Sequence, residues 1–445
     1  MISFKIKRPL CSLKGRVVLP GDKSIAHRSL ILSAVACGKT LIENLPSNDD
    51  ILSTLSSIKK LGVPVKCLHN PGQFIVQGVG LYGLKPARSD IFVGDSGTTF
   101  RLLLGLLAAQ DFNSKIAAGL SLSKRPMRRV TEPLRLMGAK ISSRLAACGS
   151  ECEEYPPITI KGGNLTGIVY KMPVASAQVK SALLLAGLYA DGSTKIIENT
   201  PTRDHTERML RLFGANIKSA KDGITIHKAN RLISPGKIYV PGDISSAAFF
   251  IVLASVMPSS KLIIENVSLN PGRIGIIRVL KRMGADIVVH SSQCSAVHSW
   301  EPIGDLIVKS SVLKGTTVTK KEIPTLIDEL PVLMVAASLA RGRTVLKGVG
   351  ELRVKETDRI KSMCNNLRKM GAKIKIVKQN KSEGIIITGV KLLKGARVKS
   401  FGDHRTAMSM VVAGLRAKGQ TEIDDVSCVS KSFPDFLKVL KTLVK

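Results

Sequence analysis

Two hydrophobic patterns alternate along the chain. One repeats every three to four residues and is basic on its polar side, as in Thr206–Leu212 and Arg359–Lys369. Stretches of this kind run into a short string of the form Leu/Met/Phe-Gly-Ala/Val-x-Ile/Val, which occurs five times. It reads Leu61-Gly62-Val63-Pro64-Val65, Met137-Gly138-Ala139-Lys140-Ile141, Phe213-Gly214-Ala215-Asn216-Ile217, Met283-Gly284-Ala285-Asp286-Ile287 and Met370-Gly371-Ala372-Lys373-Ile374. The glycines are 76, 76, 70 and 87 residues apart. An alternating apolar/polar stretch follows each one. The pattern predicts a helix closed by a left-handed glycine and a strand starting at the β-branched residues.

The second pattern lies out of phase with the first. A turn and a small-polar cluster lead into a helix that is apolar nearly all round. The copies are Pro20-Gly21-Asp22-Lys23-Ser24 before Ile25–Ala36, Gly94-Asp95-Ser96-Gly97-Thr98 before Thr99–Ala109, and Pro173–Gln178 before Val179–Ala190. Next come Pro241-Gly242-Asp243-Ile244-Ser245 before Ser246–Val256, Pro324–Glu329 before Leu330–Ala340, and Gly402-Asp403-His404-Arg405 before Thr406–Gly414. Six units of about 70–80 residues follow, each strand, helix, strand, helix, strands. The fold class is therefore α/β, with the apolar helices inside and the sheets and basic helices outside. Pro20-Gly21-Asp22 and Pro241-Gly242-Asp243 are near copies. If the units split three and three, they mark hinge crossings near 20–21 and 240–241. One domain is then 21–240 and the other combines 1–20 with 241–445. One extended solenoid is the other arrangement the repeats permit.

At 445 residues the chain is long enough for two or three full cores. No apolar run reaches the roughly 18 residues of a membrane helix, Leu102–Ala109 being among the longest. The basic opening MISFKIKRPL lacks a following apolar region, so no secretory leader is expected. The eight cysteines include no C-x-x-C, which fits reduced thiols in a cytoplasm and predicts no metal site. The formal charge of +34 is evenly spread: 34 Lys+Arg against 16 Asp+Glu in residues 1–240, and 33 against 17 in 241–445. It leaves open a nucleic-acid partner, an anionic small substrate, or a basic solvated surface. One Trp, five Tyr and eleven Phe are too scattered to act as stacking platforms, so nucleic acid is not expected.

Two phosphate-binding imitations fail. Gly78-x-Gly80-x-x-Gly83 follows a plausible strand, Gln73–Gln77, but Pro86 prevents the helix that must meet a pyrophosphate. Gly38-Lys39-Thr40 lacks the glycine five residues earlier; Ser33 stands there. The six turns are better candidates. Each offers free N–H groups at a helix start, and several add cations: Lys23 and Arg28 with Ser24, Arg101, the run Lys124-Arg125-Pro126-Met127-Arg128-Arg129, and Arg405. Cations there oppose the helix dipole, which points to a demand beyond stability; capping and surface pairing are the plainer alternative. In Lys355-Glu356-Thr357-Asp358-Arg359 the three-residue spacing puts Glu356 and Arg359 on one helix face. A carboxylate among cations suits proton shuttling, and an ordinary ion pair suits the spacing equally. Asp328 and Glu329 open an apolar helix, where N-capping is an equal reading.

These strings, taken together, resemble the EPSP synthase (3-phosphoshikimate 1-carboxyvinyltransferase) family. Pro20–Ser29, Gly94–Arg101, Ser123–Met127, Ser176–Ser181, Arg203–Glu207, Ile327–Pro331, Lys355–Arg359, Asp403–Arg405 and Lys431–Pro434 match its motifs in order, from residue 20 to 434. The resemblance implies a two-domain inverse α/β barrel-like fold, each domain three βαβαββ units around buried parallel helices, closing on substrate. It implies transfer of the enolpyruvyl group of phosphoenolpyruvate to the 5-hydroxyl of shikimate 3-phosphate, without metal or organic cofactor, by a cytoplasmic monomer whose partners are small molecules, not nucleic acid or membrane. By motif, Lys23, Ser24, Arg28, Ser176, Gln178, Arg203, Asp328 and Lys355 would bind shikimate 3-phosphate. Lys23, Gly97, Arg125, Gln178, Arg359, Arg405 and Lys431 would hold phosphoenolpyruvate. Asp328 would take the hydroxyl proton, and Glu356 with Lys23 would handle the proton at the methylene carbon.

The chain departs from the family at two places. Asp95 stands where the family usually has Asn, so its charge is expected to repel substrate unless a nearby Lys or Arg pairs with it. Ala177 replaces a Ser found in part of the family. Both bear on affinity and on the response to glyphosate, which targets the family. The related enolpyruvyl transferase acting on UDP-N-acetylglucosamine is the runner-up; it lacks the Lys355–Arg359 string and would want a Cys within 115–125, where this chain has none. A non-catalytic basic binding module is the remaining alternative.

Overall fold

The computed structural model describes residues 2–7, 12–148, 151–291, 300–379 and 382–444; Cys11 and Cys294 fall outside them. The chain divides into two compact units. Unit 1 comprises Met1–Asp22, Pro241–Ser295 and Pro302–Lys445; unit 2 comprises Lys23–Val240 together with Ala296–Glu301.

Among the described residues, twelve α-helices alternate between two kinds. In unit 2 they are α1 (Lys23–Val35), α2 (Asp49–Lys60), α3 (Gly97–Leu107), α4 (Arg128–Leu136), α5 (Ala177–Gly187) and α6 (His205–Leu212). In unit 1 they are α7 (Ile244–Val256), α8 (Gly275–Arg282), α9 (Leu330–Leu339), α10 (Arg359–Lys369), α11 (His404–Leu415) and α12 (Phe436–Leu443). The odd-numbered helices are the apolar ones and are buried along nearly their whole length; in α7 every residue from Ile244 to Ser255 is buried. Even-numbered helices bury one face only, as α2 does with Ile51, Thr54, Leu55, Ser57 and Ile58. A helix without a polar stripe can only sit inside, so three odd helices form the core of each unit.

The glycines that close α2, α4, α6, α8 and α10 all have positive φ: Gly62 85°, Gly138 102°, Gly214 82°, Gly284 92° and Gly371 88°. The chain there reverses out of the helix at an angle that a Cβ resists, and the next strand begins within a few residues. Sheets cover the helices. In unit 2, Val169–Met172 runs parallel to Ser193–Glu198, and Gly223–His227 and Ile217–Ala220 continue antiparallel. The other two sheets of unit 2 repeat this order, and one is completed by the late strand Lys237–Tyr239 lying parallel to Cys37–Glu43. Unit 1 closes from the other end of the chain: Lys14–Val18 pairs in parallel with Lys261–Ser268, and Phe4–Ile6 pairs with Thr421–Ile423. The fold is the α/β architecture of buried helices ringed by mixed sheets.

The glycine imitations resolve physically. Gly38-Lys39-Thr40 lies inside the strand Cys37–Glu43. Gly78 is pressed so closely on α1 that a Cβ would fall 2.1 Å from the Ala36 carbonyl oxygen. Its glycine serves backbone packing, not a phosphate.

Candidate active site

In unit 2 the helix starts bring the polar groups together. Lys23 opens α1, and its Nζ donates to Asp50 Oδ2 at 2.6 Å. Asp50 is in the first turn of α2, so the cation that opposes one helix dipole is balanced by an acid favourable to another. Arg28, one turn further, is buried and spreads its guanidinium over three elements. Nε donates to Thr206 Oγ1 (2.6 Å), Nη1 to the Ser24 carbonyl (2.7 Å) and Nη2 to Ser181 Oγ (2.6 Å). Arg203 Nη1 reaches Ser24 Oγ at 3.4 Å. Lys23, Ser24, Arg28 and Arg203 thus gather around the α1 start, with α5 and α6 held to it.

The α3 and α5 starts form an adjoining cluster. Ser96 caps α3 and Ser176 caps α5, each accepting from the backbone N–H three residues on. Ser176 therefore does what the capping alternative required. Arg101, 5% exposed, donates from Nη1 to Gln178 Oε1 at 2.6 Å, and Gln178 Nε2 donates to Thr98 Oγ1 at 2.8 Å. Gly97 lies beneath two guanidiniums: a Cβ there would be 3.0 Å from Arg101 Nη1 and 3.0 Å from Arg125 Nη1. Arg125 follows the short helical turn Leu122–Lys124. Asp95 anchors that turn. Its Oδ1 accepts the Ser121 and Leu122 N–H groups at 3.1 Å each, so backbone dipoles help to hold its charge.

In unit 1 the centre is Arg359, 1% exposed at the start of α10. Its Nε donates to Asp403 Oδ2 at 2.7 Å, its Nη2 donates to Glu356 Oε2 at 2.5 Å, and its Nη1 stands 3.6 Å from Asp328 Oδ1. Asp403 is fully buried and also caps α11, accepting from Arg405 N at 2.8 Å and Thr406 N at 3.3 Å. Burial would raise its carboxyl, but the Arg359 guanidinium prevails and holds it below the usual range. Lys355 Nζ is 3.8 Å from Asp328 Oδ1, and Arg405 Nη1 donates to the Asp328 carbonyl at 2.9 Å. Asp328, Lys355, Glu356, Arg359 and Arg405 thus form one cluster. Lys431 ends the short helical turn Ser427–Lys431, which packs on α11.

Two expectations need correction. Glu356 does not share a helix face with Arg359, because α10 begins at Arg359 with Asp358 as its cap; Glu356 reaches the guanidinium from the preceding turn. Glu329 precedes α9 but makes no capping bond. Its carboxylate accepts the Ser245 hydroxyl instead.

Several buried charged groups were given no role by the sequence, even where they fall inside its recurring strings. Arg273, 3% exposed, lies within ion-pair distance of Asp22 (3.7 Å), Asp243 (3.3 Å), Asp328 (3.7 Å) and Glu329 (4.0 Å). Burial, reinforced by the Asp22 carboxylate, pushes Asp243 up to about 6. In unit 2, Lys180, 1% exposed, pairs with Glu198 (3.0 Å) and Glu207 (2.7 Å). His205 Nδ1 meets Glu301 Oε1 at 3.2 Å, both fully buried. Each set joins residues far apart in sequence, so only tertiary placement reveals it. Among the described residues no group of three His, Cys, Asp or Glu is arranged to hold a metal ion, and no helix is long and apolar enough to cross a membrane.

Known proteins bear a close similarity to the chain. The profile of the EPSP synthase (3-phosphoshikimate 1-carboxyvinyltransferase) family matches residues 7–440. A curated relative from Geobacter sulfurreducens, named 3-phosphoshikimate 1-carboxyvinyltransferase, is 46% identical over 441 residues, covering 99% of both chains. One of the same name from Geotalea daltonii is 45% identical over 435 residues, covering 98% of this chain and 97% of its own. The solved structure of EPSP synthase from Acinetobacter baumannii superposes with a TM-score of 0.86 at 42% identity, covering 99% of this chain and 98% of that one.

Proposed function

Because the chain belongs to the EPSP synthase (3-phosphoshikimate 1-carboxyvinyltransferase) family, we propose that it transfers the enolpyruvyl group of phosphoenolpyruvate to the 5-hydroxyl of shikimate 3-phosphate. Inorganic phosphate is released, and the product feeds the shikimate pathway to aromatic amino acids. The observation that carries the acid–base assignment is the Arg359 bridge: one buried guanidinium serves both Glu356, at 2.5 Å, and Asp328, at 3.6 Å. Two carboxylates of fixed separation, in a field of cations, are what a reaction with two proton transfers at neighbouring atoms requires.

In this reading the 5-hydroxyl oxygen bonds to C2 of phosphoenolpyruvate and its proton passes to Asp328. Glu356, with Lys23, delivers a proton to C3, giving a tetrahedral phosphate adduct. Phosphate then leaves C2 with the proton held by Asp328, while Glu356 takes a proton back from C3 and the double bond reforms. Lys23, Ser24, Arg28, Ser176, Gln178, Arg203, Asp328 and Lys355 hold shikimate 3-phosphate. Lys23, Gly97, Arg125, Gln178, Arg359, Arg405 and Lys431 hold phosphoenolpyruvate. Both substrates are phosphorylated acids or alcohols, and guanidinium forks with helix N-termini suit phosphate and carboxylate alike. The enzyme works as a cytoplasmic monomer on these small molecules.

The test is phosphate release on mixing the purified protein with shikimate 3-phosphate and phosphoenolpyruvate. Turnover is expected with that pair and not with UDP-N-acetylglucosamine and phosphoenolpyruvate. The reverse preference overturns the reading.

A further inference from the structure

We propose that Arg273 is a positioning residue, whose guanidinium fixes the orientation and charge of the Asp328 carboxylate. The proposal rests on the proton-accepting role given to Asp328 above. Arg273 lies in the turn before α8, with its backbone N–H bonded to the Asn270 carbonyl at 2.8 Å. Its two terminal nitrogens are used differently. Nη2 faces inward: it donates to Ser245 Oγ at 2.8 Å and to Asp243 Oδ1 at 3.3 Å, and stands 3.7 Å from Asp22 Oδ2. Nη1 is buried without a hydrogen-bond partner among the described residues, 3.7 Å from Asp328 Oδ2. Arg359 repeats this on the other side: its Nη1 is buried, also without a hydrogen-bond partner, and stands 3.6 Å from Asp328 Oδ1.

Two buried guanidiniums therefore aim one unsatisfied nitrogen each at opposite oxygens of a single carboxylate. The separations are ion-pair distances, too long for hydrogen bonds; a movement of about 0.8 Å would complete both. An unmade bond at a buried donor is costly, and twice at one carboxylate it marks a group held for use. A guanidinium serving only as counter-ion to Asp22 and Asp243 would turn both nitrogens to them. The charged groups facing Arg273 are Asp22, Asp243, Asp328 and Glu329. Asp328 is further faced by Lys355 and Arg359, with Arg405 on its carbonyl. Removing the positive charge beside Oδ2 disfavours the ionised carboxylate and frees it to rotate.

The variants are Arg273→Gln, Arg273→Lys, and Arg273→Gln combined with Asp243→Asn. The double variant removes a buried carboxylate along with its counter-ion and guards against misfolding. For Arg273→Gln we expect kcat to fall at least about tenfold, with KM for phosphoenolpyruvate within about threefold and the acid limb of the kcat profile displaced to higher pH. Arg273→Lys should return the limb toward its wild-type position but restore kcat only in part, because a point charge replaces a fork. Carbon-13 NMR of the aspartate carboxyls, assigned with Asp328→Asn, follows the Asp328 titration without turnover. It should move to higher pH in Arg273→Gln and in the double variant. An unmoved Asp328 titration, or a kcat within about threefold of wild type, overturns the proposal. Absence of wild-type turnover on the substrate pair counts against the function instead, and the NMR titration still decides the role of Arg273.

Discussion

The sharpest consequence of the site geometry concerns Gly97. Replacing it with Ala places a methyl group 3.0 Å from Arg101 Nη1 and 3.0 Å from Arg125 Nη1. Comfortable contact is about 3.5 Å, so each guanidinium must retreat by roughly half an ångström. Retreat of Arg101 strains its 2.6 Å bond to Gln178, which in turn holds Thr98. The fold should tolerate this. Gly97 opens a helix in ordinary helical backbone, where Ala is favoured over Gly by up to about 1 kcal/mol, and the displaced atoms are side-chain ends. A phosphate or carboxylate held by these guanidiniums loses more: weakening one charge-assisted bond costs about 1.4 kcal/mol, or tenfold in affinity. Gly97→Ala is thus expected to raise KM for phosphoenolpyruvate about tenfold while leaving Tm nearly unchanged. Phosphate release at saturating shikimate 3-phosphate, alongside a thermal melt, measures both. An unchanged KM refutes the placement of phosphoenolpyruvate at Gly97, and a Tm lowered by more than about 4 °C refutes the claim that only side-chain ends yield.

Other outcomes follow from named contacts. Asp328→Asn and Glu356→Gln should each lower kcat by about a hundredfold or more while the circular dichroism stays native; near-normal turnover in either removes that residue from the proton transfers. Asp95→Asn keeps an oxygen for the Ser121 and Leu122 N–H groups, so stability should change by less than about 1 kcal/mol and phosphoenolpyruvate binding should stay equal or tighten. Lys180→Met leaves Glu198 and Glu207 buried without their cation and should cost about 3–5 kcal/mol in chemical denaturation. Asp243 is pushed up to about 6 when folded, above its unfolded value near 3.9. Between these pH values the folded state binds the extra proton, so this group's contribution to stability is lost as pH rises from about 4 to 6. Relative to Asp243→Asn, wild type should lose up to about 2–3 kcal/mol across that window and then level off, as read from urea midpoints at successive pH values.

What could be read directly from the chain was periodicity and backbone demand. The helices around Ile25–Ala36 and Ser246–Val256 are apolar nearly all round, which leaves only the interior for them, and the glycines ending the basic helices announce their left-handed turns. The starts of α3, α5, α7 and α11 lie two residues earlier than the pattern gave, because Ser96, Ser176, Asp243 and Asp403 sit at the cap itself, whereas α9 and α10 start at Leu330 and Arg359 as read. Chemistry made by tertiary placement was not legible. Arg273 has no motif around it, and its partners Asp22 and Asp328 are about 250 and 55 residues away along the chain. Glu329 was ambiguous for a physical reason: a carboxylate before an apolar helix caps it unless a nearer donor competes, and the Ser245 hydroxyl does. At Asp95 the converging Ser121 and Leu122 N–H groups were not legible, because the turn that brings them to the carboxylate exists only in the folded chain.

The pairing of Lys14–Val18 with Lys261–Ser268, and of Phe4–Ile6 with Thr421–Ile423, orders events on the ribosome. Unit 2 can complete its three sheets once Lys237–Tyr239 has emerged, but the first-made strands then still lack partners. Lys14–Val18 meets its partner soon afterwards, but the edge of Phe4–Ile6 stays unsatisfied until Thr421–Ile423 is translated. The basic residues Lys5, Lys7, Lys14 and Arg16 on that leading segment supply the mutual repulsion that keeps neighbouring unfinished chains apart during the wait.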